Sequence, residues 1–360
     1  MSYNAALIQD ISAHLTATIK AVVERLTHTE HKIVLIVDDN GYLCGTVTDY
    51  DIRQAILKDI SFDSPITEIM SKHPIVMSNS LSSEQMDDLI RISGVDYIPI
   101  VDAQRRIAGI KFLRDLVRAE KPLDMIAVVM AGGFGRRLMP LTEHTPKPMV
   151  TVGNRPLLFI ILDQLIAEGF TKAYVAVHYK SEVIIQAVEQ IPRYRDLITF
   201  ILEDKPLGTA GALGLLSELP RQPFLIINAD ILTQVPLAQM MQYHGRAGNM
   251  MTLATKVERH QIPFGVIDTD GARVVTVREK PRLEYRVSIG AYVANPDVLG
   301  LIPKGERLDM PDLVLRLIEQ EKPVGVFPVH EYWVDVGTPE QRDRAEQDVM
   351  SGSEFLLDEH

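Results

Sequence analysis

The sequence predicts an α/β protein in which a doubly wound, mostly parallel sheet is preceded by a smaller α/β module. From residue 126 onward, short apolar runs alternate with segments of helical periodicity, and the runs are too apolar for strands with one face in water. Before residue 120, one pattern of hydrophobic and turn residues occurs twice. The length of 360 residues agrees with both observations, because one hydrophobic core rarely serves so long a chain.

Composition and charge narrow the class of protein. The chain carries 37 basic and 48 acidic residues, a net charge of −11, which argues against a nucleic-acid partner. No apolar run approaches the ~18 residues of a membrane-spanning helix, and the first residues lack the features of a secretory signal, so no membrane partner is expected. Cys44 is the only cysteine, so an intramolecular disulfide is impossible and a cytoplasmic location is expected.

The first third of the chain contains an internal duplication. Residues 36–45 align with residues 100–109 without a gap, at a shift of 64 residues. Each copy predicts a short buried strand, a polar turn, a second strand that ends at a glycine, and then a helix. The glycines are Gly45 and Gly109, the helices 52–58 and 113–119, and the two units about 1–60 and 61–120.

The motif Gly45-Thr46-Val47-Thr48-Asp49-Tyr50-Asp51 resembles the ligand motif of CBS domains, which usually occur as tandem pairs. The resemblance implies a regulatory module over 1–120 that binds a purine nucleotide, with Thr48 and Asp51 meeting phosphate and ribose hydroxyls. The spacing of these two residues equally favours a helix N-cap pair. Because the second copy has Phe112 in place of Thr48, a second equivalent site is not expected.

The segment 120–124 is the predicted domain junction, because it contains the helix-stopping Pro122. The larger domain, 125–350, is expected to form a Rossmann-like doubly wound sheet, with 351–360 as a tail. Its elements are predicted in the order strand 126–130, helix 157–168, strand 173–177, helix 181–190, strand 199–202, helix 209–216 and strand 224–228.

A glycine-rich segment follows the first of these strands. Gly132, Gly133 and Gly135 remove side chains that would keep a triphosphate away from backbone N–H groups, while Arg137 and Lys147 add positive charge. Glycines alone are equally typical of a tight turn. The extended pattern Gly-Gly-x-Gly-x-Arg-Leu-x-Pro-Leu-Thr, followed by Pro-Lys-Pro, resembles the signature of the sugar-1-phosphate nucleotidyltransferases, also called nucleotide-sugar pyrophosphorylases. The resemblance implies the nucleotidyltransferase fold for this domain.

Two aspartates are the candidate metal ligands. Asp230 follows an apolar strand, and Asp335 lies in Trp333-Val334-Asp335-Val336-Gly337-Thr338-Pro339, which resembles the family's late Trp-x-Asp-x-Gly-Thr-Pro motif. Taken singly, either aspartate would be read as a helix or turn cap. The joint resemblance implies a Mg2+ site on both, because Mg2+ prefers one or two carboxylates together with water and substrate phosphates.

Three further residues resemble the part of the family that binds the sugar phosphate. In Glu279-Lys280-Pro281 the resemblance implies Lys280 on the phosphate and Glu279 on sugar hydroxyls, although the pair alone is typical of a solvated surface. Phe264-Gly265-Val266 resembles the family's aromatic-Gly-Val, in which the bare Gly265 lets the sugar ring lie against backbone. A strand bulge or turn is the alternative for this glycine.

The stretch from Glu203 to Gly211 resembles the family's base-contacting loop and includes Gly208 and Thr209. A carboxylate at Glu203 accepts both N1–H and N2–H of guanine, whereas uracil and thymine offer one donor and repelling carbonyls, so GTP is favoured. A surface ion pair between Glu203 and Lys205 is the alternative. The full set expected to bind nucleotide is Ala131, Gly132, Gly133, Gly135, Glu203, Gly208 and Thr209.

The resemblance as a whole is to enzymes related to glucosamine-1-phosphate and mannose-1-phosphate guanylyltransferases. It implies transfer of GMP from GTP to a sugar 1-phosphate, with release of pyrophosphate and with Arg137, Lys147 and Lys280 as catalytic residues. The alternatives are a uridylyl or cytidylyl transferase of the same family and a nonenzymatic nucleotide sensor that kept the fold. The nucleoside triphosphate and the sugar 1-phosphate are the expected partners, and a homo-oligomer is expected.

Overall fold

A computed structural model describes residues 5–29, 31–82, 85–86, 89–90, 95, 97–112 and 125–350. The chain divides into two compact units, Met1–Lys121 and Pro122–His360. The predicted helix 113–119, the junction 120–124 and the tail 351–360 lie outside the described residues. Among the described helices, none is long and apolar enough to cross a membrane.

The first unit contains two small sheets of the same design, each with three strands. In each sheet the first strand runs parallel to the second, and the third runs antiparallel to it. Within its described residues, the strands are β1 (Ser12–His14), β2 (Ile33–Val37), β3 (Leu43–Thr48), β4 (Met77–Ser78), β5 (Tyr97–Val101) and β6 (Ile107–Phe112), and the helices are α1 (Ala5–Asp10), α2 (Ile19–His28) and α3 (Asp49–Leu57).

The strand registers reproduce the duplication seen in the sequence. Ile33 pairs with Thr48 in the first sheet, and Tyr97 pairs with Phe112 in the second, which is the same pair shifted by 64 residues in both strands. An irregularity in register follows Ile36 in the first sheet and Ile100, its counterpart, in the second. The repeat therefore specifies backbone pairing as well as composition.

The expectation that the second strand of each copy ends at its glycine is wrong. Gly45 and Gly109 lie within β3 and β6, which continue to Thr48 and Phe112. At Gly45 the absent side chain serves close backbone approach, because a Cβ there would lie 2.7 Å from the carbonyl oxygen of Ser71. Apolar side chains beyond each glycine are buried and keep the strand in the sheet.

The second unit begins with a strand at Ile126–Met130 and ends its described part with a helix at Pro339–Met350. Its strands are β7 (Ile126–Met130), β8 (Thr151–Val152), β9 (Arg155–Pro156), β10 (Lys172–Val177), β11 (Ile198–Leu202), β12 (Phe224–Asn228), β13 (Ile231–Thr233), β14 (Met251–Gln261), β15 (Val266–Asp270), β16 (Arg273–Arg278), β17 (Arg282–Ala294), β18 (Val324–Pro328) and β19 (Trp333–Asp335). Its helices are α4 (Leu157–Ala167), α5 (Ser181–Glu189), α6 (Pro192–Arg195), α7 (Gly208–Gly211), α8 (Leu237–Ala247), α9 (Met310–Glu319) and α10 (Pro339–Met350).

The central sheet of this unit has the order β11-β10-β7-β12-β17-β14-β18. Only β17 runs against its neighbours, so the predicted mostly parallel α/β sheet is confirmed. Both faces are covered, since alternate residues of the central strands enter two different hydrophobic clusters. Val129, Val175 and Ile227 belong to one cluster, and Val128, Tyr174 and Ile226 to the other.

The helix predicted at 209–216 is interrupted. The structure has one α-helical turn, α7, followed by a 3₁₀ turn at Ala212–Leu215. Glycine-rich sequence weakens a helix, and here it also admits another segment, because the N–H groups of Ala210 and Gly211 both donate to the carbonyl of Leu308. The local pattern predicted the helical bias but not this tertiary contact.

Strands β14 and β17 extend past the end of β12 as a two-stranded arm. The arm carries a second ribbon, β15 paired with β16, whose side chains are largely exposed. Pairing of Val266 with Arg278 places the residues just outside this ribbon, at 265 and 279, next to each other. The arm therefore projects over the edge at which β7 and β12 end.

A buried polar network anchors helix α8 to the sheet. His244 donates from Nε2 to Oδ1 of Asn295 (3.2 Å), and its Nδ1 lies 2.9 Å from the hydroxyl of Thr252, which also accepts from Nδ2 of Asn249. When the ring is neutral, its unprotonated Nδ1 accepts a hydrogen bond from the Thr252 hydroxyl. Protonation of Nδ1 would remove this bond. Burial lowers the pKa of His244.

We predict that lowering the pH destabilises the protein through His244. Because its pKa is lower in the folded protein than in the unfolded chain, the unfolded chain takes up the proton first, and the free energy of unfolding decreases as the pH falls below about 6.5. Denaturant unfolding at several pH values should give a smaller pH slope for His244→Gln than for the wild type. An exposed control, His260→Gln, should keep the wild-type slope, and equal slopes for all three proteins would contradict the prediction.

Candidate active site

The glycine-rich segment begins where β7 ends, at the carboxyl edge of the parallel strands. This is the edge at which open α/β sheets bind ligands. Ala131 is buried and donates its N–H to the carbonyl of Ala176 in β10, so the segment starts from a fixed backbone position. Gly133 has nothing within 4 Å of the place where a Cβ would stand, which leaves this side of the backbone open to a ligand.

Gly135 is required both by its backbone and by its surroundings. Its φ is 64°, in the left-handed region, and a Cβ there would lie 2.8 Å from Cγ2 of Thr142 and 2.9 Å from Cβ of Lys147. The Thr142 hydroxyl donates to the carbonyl of Gly135 at 2.8 Å. The turn is therefore packed directly against the residue that supplies its positive charge.

Lys147 is almost completely buried and is held in a short ion pair. Its Nζ donates to Oδ2 of Asp230 at 2.6 Å, across 83 positions of sequence. A buried ammonium is stable only with such a partner. The structure thus joins two of the predicted site residues, one from the glycine-rich segment and one from the end of β12.

A short antiparallel ribbon brings the two predicted metal ligands together. Strand β13, which starts after Asp230, pairs with β19, and Ile231 lies opposite Asp335. The N–H of Val336 also donates to the carbonyl of Asp230 at 2.8 Å. Two aspartates separated by more than 100 residues therefore become neighbours through backbone pairing.

The electrostatics around Asp335 fit a bound cation. Burial and the charge of Asp230 raise its pKa, while Lys147 and Arg137 act in the opposite direction. Oδ1 of Asp335 is buried and has no hydrogen-bond partner among the described residues. The bare Gly337 lies next to this carboxylate and to the guanidinium of Arg137, with a Cβ position 3.0 Å and 3.1 Å from their nearest atoms. An unsatisfied carboxylate oxygen beside a second carboxylate is a suitable donor set for a divalent cation.

Glu203 lies against the glycine-rich segment and is buried. The alternative of a surface ion pair between Glu203 and Lys205 is therefore wrong. A Cβ on Gly132 would stand 2.5 Å from its Oε1, while its Oε2 accepts from the N–H of Leu207 at 2.9 Å. Burial raises the pKa of Glu203, and the bond from Leu207 opposes this. The missing side chain at Gly132 thus creates the space that this carboxylate occupies.

Gly208 and Thr209 make structural contacts of their own. Gly208 has a φ of 79° and packs against the backbone of Leu308. The Thr209 hydroxyl accepts from the N–H of Met310 at 2.7 Å, at the start of α9, and its N–H donates to Asp309 at 3.2 Å. Both residues therefore hold the loop after Glu203, and their predicted contact with nucleotide stays a prediction.

The three residues predicted for the sugar phosphate lie on the arm. A Cβ on Gly265 would stand 3.1 Å from Oε2 of Glu279, so these two are adjacent. Lys280 is exposed and has a φ of 44°. Among the described hydrogen bonds and ion pairs, none connects Glu279 or Lys280 to the two aspartates. That these residues contact the rest of the site through a bound sugar phosphate stays a prediction.

In the first unit, Thr48 and Asp51 form a capping box at the start of α3. The Asp51 carboxylate accepts from the backbone N–H and the hydroxyl of Thr48, both at 2.8 Å. Burial raises the pKa of Asp51. The N-cap alternative therefore describes their contacts in the structure, and a ligand role for the same pair stays a prediction.

Three more residues lie near the site, and sequence reasoning missed two of them, His178 and Asn228. His178, at the end of β10, donates from Nδ1 to the carbonyl of Glu203 (2.8 Å) and packs edge-on against Phe134. The Tyr292 hydroxyl accepts from Ser288 at 3.0 Å, and burial followed by the charge of Asp230 raises its pKa. Asn228 ends β12. The signal that could have found it is its spacing, since residues 228 and 230 are two positions apart at the end of a buried strand.

Comparison with known proteins agrees with these features. Residues 126–351 match the family described as nucleotidyl transferase, and residues 8–58 match the CBS domain. The chain belongs to the nucleotidyl transferase family. Enzymes of this family typically use a divalent metal, and nucleotides and sugar phosphates are substrates that suit it.

Individual relatives cover the same part of the chain. Mannose-1-phosphate guanyltransferase of Pichia angusta is 35% identical over 238 residues, which are 63% of this chain and 63% of that protein. The enzyme of the same name from Saccharomyces cerevisiae is 33% identical over 247 residues, 65% of each chain. The chain thus spans less than two thirds of the length of these relatives. The structure of a UDP-glucose pyrophosphorylase, 18% identical with a TM-score of 0.50, covers 64% of this chain and all of that one, and shows the shared fold.

We predict that Gly135→Ala lowers the free energy of unfolding by roughly 1–3 kcal/mol, because it strains a left-handed residue and displaces Thr142 or Lys147. Gly133→Ala is the matched control, since a Cβ there meets nothing and the φ is not positive. Its stability should equal or slightly exceed that of the wild type. Urea unfolding of the three proteins measures the difference, and equal losses in both variants would contradict the tight packing at Gly135.

Proposed function

We propose that the second unit transfers GMP from GTP to a sugar 1-phosphate, with release of pyrophosphate. The observation that carries this proposal is the convergence of Asp230, Asp335 and Lys147 beside the glycine-rich segment. The relatives that share this part of the chain are named as mannose-1-phosphate guanyltransferases, which supports the same reaction class. The identity of the sugar is not part of the proposal.

The roles of the residues follow from charge and position. Backbone N–H groups of the segment from Gly132 to Gly135 face the triphosphate, while Arg137 and Lys147 hold its outer phosphates and favour departure of pyrophosphate. Lys280 and Glu279 on the arm bring in the sugar phosphate, whose oxygen attacks the α-phosphorus in line. The protein mainly positions the reactants and stabilises charge, so no covalent nucleophile is needed.

Mg2+ is the divalent cation we assign to Asp230 and Asp335. A bound Mg2+ neutralises charge on phosphate oxygens. The two carboxylates fit it because one oxygen of Asp335 is buried without a partner and the negative charge of Asp230 lies close by. Lys147 keeps Asp230 in place and balances part of the charge of the pair. Arg137 also lies close to this pair, next to Gly337 and Asp335.

Glu203 is the residue we assign to the base. Its Oε1 lies against Gly132, at the entrance to the glycine-rich segment, and its Oε2 is fixed by Leu207. An acceptor-only carboxylate matches the two N–H donors of guanine. Uracil would leave this buried carboxylate facing a carbonyl, and cytosine offers it one amino group beside the N3 lone pair, so neither pyrimidine supplies the two adjacent donors of guanine. A sensor without activity would have no need for the paired aspartates and the buried lysine.

The first unit is proposed to bind a purine nucleotide through Thr48 and Asp51 and to regulate the second. The capping box must open or share its hydroxyl and carboxylate for this to happen. Calorimetry of the full chain with AMP, ATP, GMP and GTP, compared with Asp51→Ala, tests the proposal. The homo-oligomer and the cytoplasmic location stay predictions.

We predict that Asp335→Asn and Asp230→Asn each lower cation-dependent turnover at least about a hundredfold, because a charge that faces the phosphates through the cation is lost. Pyrophosphate release from GTP and mannose 1-phosphate, measured against Mg2+ concentration, gives the change. An exposed control, Asp343→Asn on α10, should keep wild-type turnover. Near-normal turnover in either site variant would remove that aspartate from the cation site.

We predict that Glu203→Gln lowers kcat/KM for GTP about ten- to hundredfold, because the amide replaces one acceptor by a donor that meets guanine N2–H. The values for UTP and CTP should change less, so the preference for GTP shrinks. Glu182→Gln, at the exposed start of α5, is the matched control. A wild-type preference for a pyrimidine nucleotide, or an unchanged preference in Glu203→Gln, would contradict the assignment.

A further inference from the structure

Three buried side-chain oxygens in the described part of the second unit have no hydrogen-bond partner. They are Oδ1 of Asn228, Oγ1 of Thr255 and Oδ1 of Asp335. Native proteins rarely leave such atoms unpaired, because each one costs free energy, so each calls for an explanation. The cation proposed above accounts for Asp335. The other two oxygens are neutral and need a hydrogen-bond donor.

Asn228 and Thr255 lie on one face of the sheet, around the end of β12. Gly290 of β17 packs against Asn228, since a Cβ there would lie 2.8 Å from its Nδ2. Thr255 of β14 pairs with Ser288 of β17, two residues before Gly290. The Ser288 hydroxyl donates to the Tyr292 hydroxyl at 3.0 Å, and Tyr292 packs in the same cluster as Ile226, which shares a face of β12 with Asn228. Ser288, Gly290 and Asn228 therefore form one polar surface, and β17 connects it to the arm that carries Glu279.

The position of Asn228 links this surface to the reacting groups. Asn228 pairs with Met130, the last residue before the glycine-rich segment, and precedes Asp230 by two residues. It therefore stands between the triphosphate side of the site and the arm. A sugar 1-phosphate that attacks from the arm would place its anomeric carbon near the aspartates. Of the two ring atoms bonded to the anomeric carbon, C2 carries a hydrogen-bond donor and the ring oxygen does not, so the C2 substituent is the group next to C1 that can satisfy the unpaired oxygen of Asn228.

We propose that Asn228 determines sugar specificity by accepting a hydrogen bond, at Oδ1, from the hydroxyl or amino group on C2. The proposal rests on the proposed function. A neutral amide suits this place, because an acceptor is needed next to Asp230 and Asp335 and a third carboxylate would add repulsion. Oδ1 gives up no hydrogen bond when the amide turns about Cβ–Cγ, and Asn228 is only half-buried, so the oxygen can reach the substrate.

Three sugar 1-phosphates test this inference, namely those of mannose, glucose and 2-deoxyglucose. The first two differ only in configuration at C2, and the third lacks the hydroxyl. With saturating GTP and Mg2+, wild-type kcat/KM for the better of the two hydroxylated sugars should exceed that for the deoxy sugar about ten- to hundredfold. In Asn228→Ala this ratio should fall below about threefold, while KM for GTP changes by less than about twofold.

Two variants guard against structural effects. Asn228→Leu keeps the side-chain volume and removes the acceptor. Its ratio of kcat/KM values should therefore fall as it does in Asn228→Ala, even if the alanine destabilises the protein. Asn228→Asp keeps an acceptor and should retain the ratio. Thr255→Val, which removes the other unpaired oxygen, is a separate control and should retain the C2 ratio.

Each contrary outcome decides against a specific claim. The role of Asn228 is overturned if the wild-type enzyme has the same kcat/KM for the deoxy sugar as for the better hydroxylated sugar. It is also overturned if Asn228→Leu keeps the wild-type ratio. An equal loss of GTP affinity would assign Asn228 to the nucleotide and also overturn it. Wild-type protein that releases no pyrophosphate with any of the three sugars overturns this inference, whereas the proposed function is overturned only if other sugar 1-phosphates, glucosamine 1-phosphate included, also release none.

Discussion

The site depends on the pairing of two short strands, β13 and β19. Ile231 opposite Asp335, with the Val336 N–H on the carbonyl of Asp230, fixes two carboxylates side by side through backbone hydrogen bonds. Two adjacent carboxylates repel each other, so the arrangement needs positive charge. Lys147 supplies it at 2.6 Å, and because Lys147 packs against Gly135, the same ion pair orders the glycine-rich segment. The proposed metal site and the proposed triphosphate site are thus one structural unit.

Much of the fold follows from local sequence, and two of the exceptions share one cause. Apolar runs located the parallel strands β7, β10 and β12 within one residue, because strands covered on both faces leave a continuous apolar signal. The prediction was wrong at Gly45 and in the helix at 209–216. At both places a glycine admits a distant backbone segment, near Ser71 or Leu308, and a local pattern does not contain that partner.

In the candidate site, too, the sequence identified individual residues but not their tertiary contacts. Asp230, Asp335, Lys147 and Gly135 were found as motif residues, and the structure adds their mutual contacts, which no spacing in the sequence predicts. Asn228 was not singled out, because its spacing from Asp230 at the end of a buried strand is a weak signal by itself. Its unpaired oxygen in the structure draws attention to it. For Thr48 and Asp51 the sequence left a cap and a ligand role open, and the structure shows the cap.

The central claim is that Asp230 and Asp335 hold one divalent cation together with the nucleotide. Electron paramagnetic resonance of Mn2+, titrated into the full chain with a nonhydrolysable GTP analogue, measures this binding without turnover. The account predicts one bound Mn2+ per chain in the wild type and at least about tenfold weaker binding in both Asp230→Asn and Asp335→Asn. Unchanged Mn2+ affinity in Asp335→Asn, with the fold intact, would contradict it.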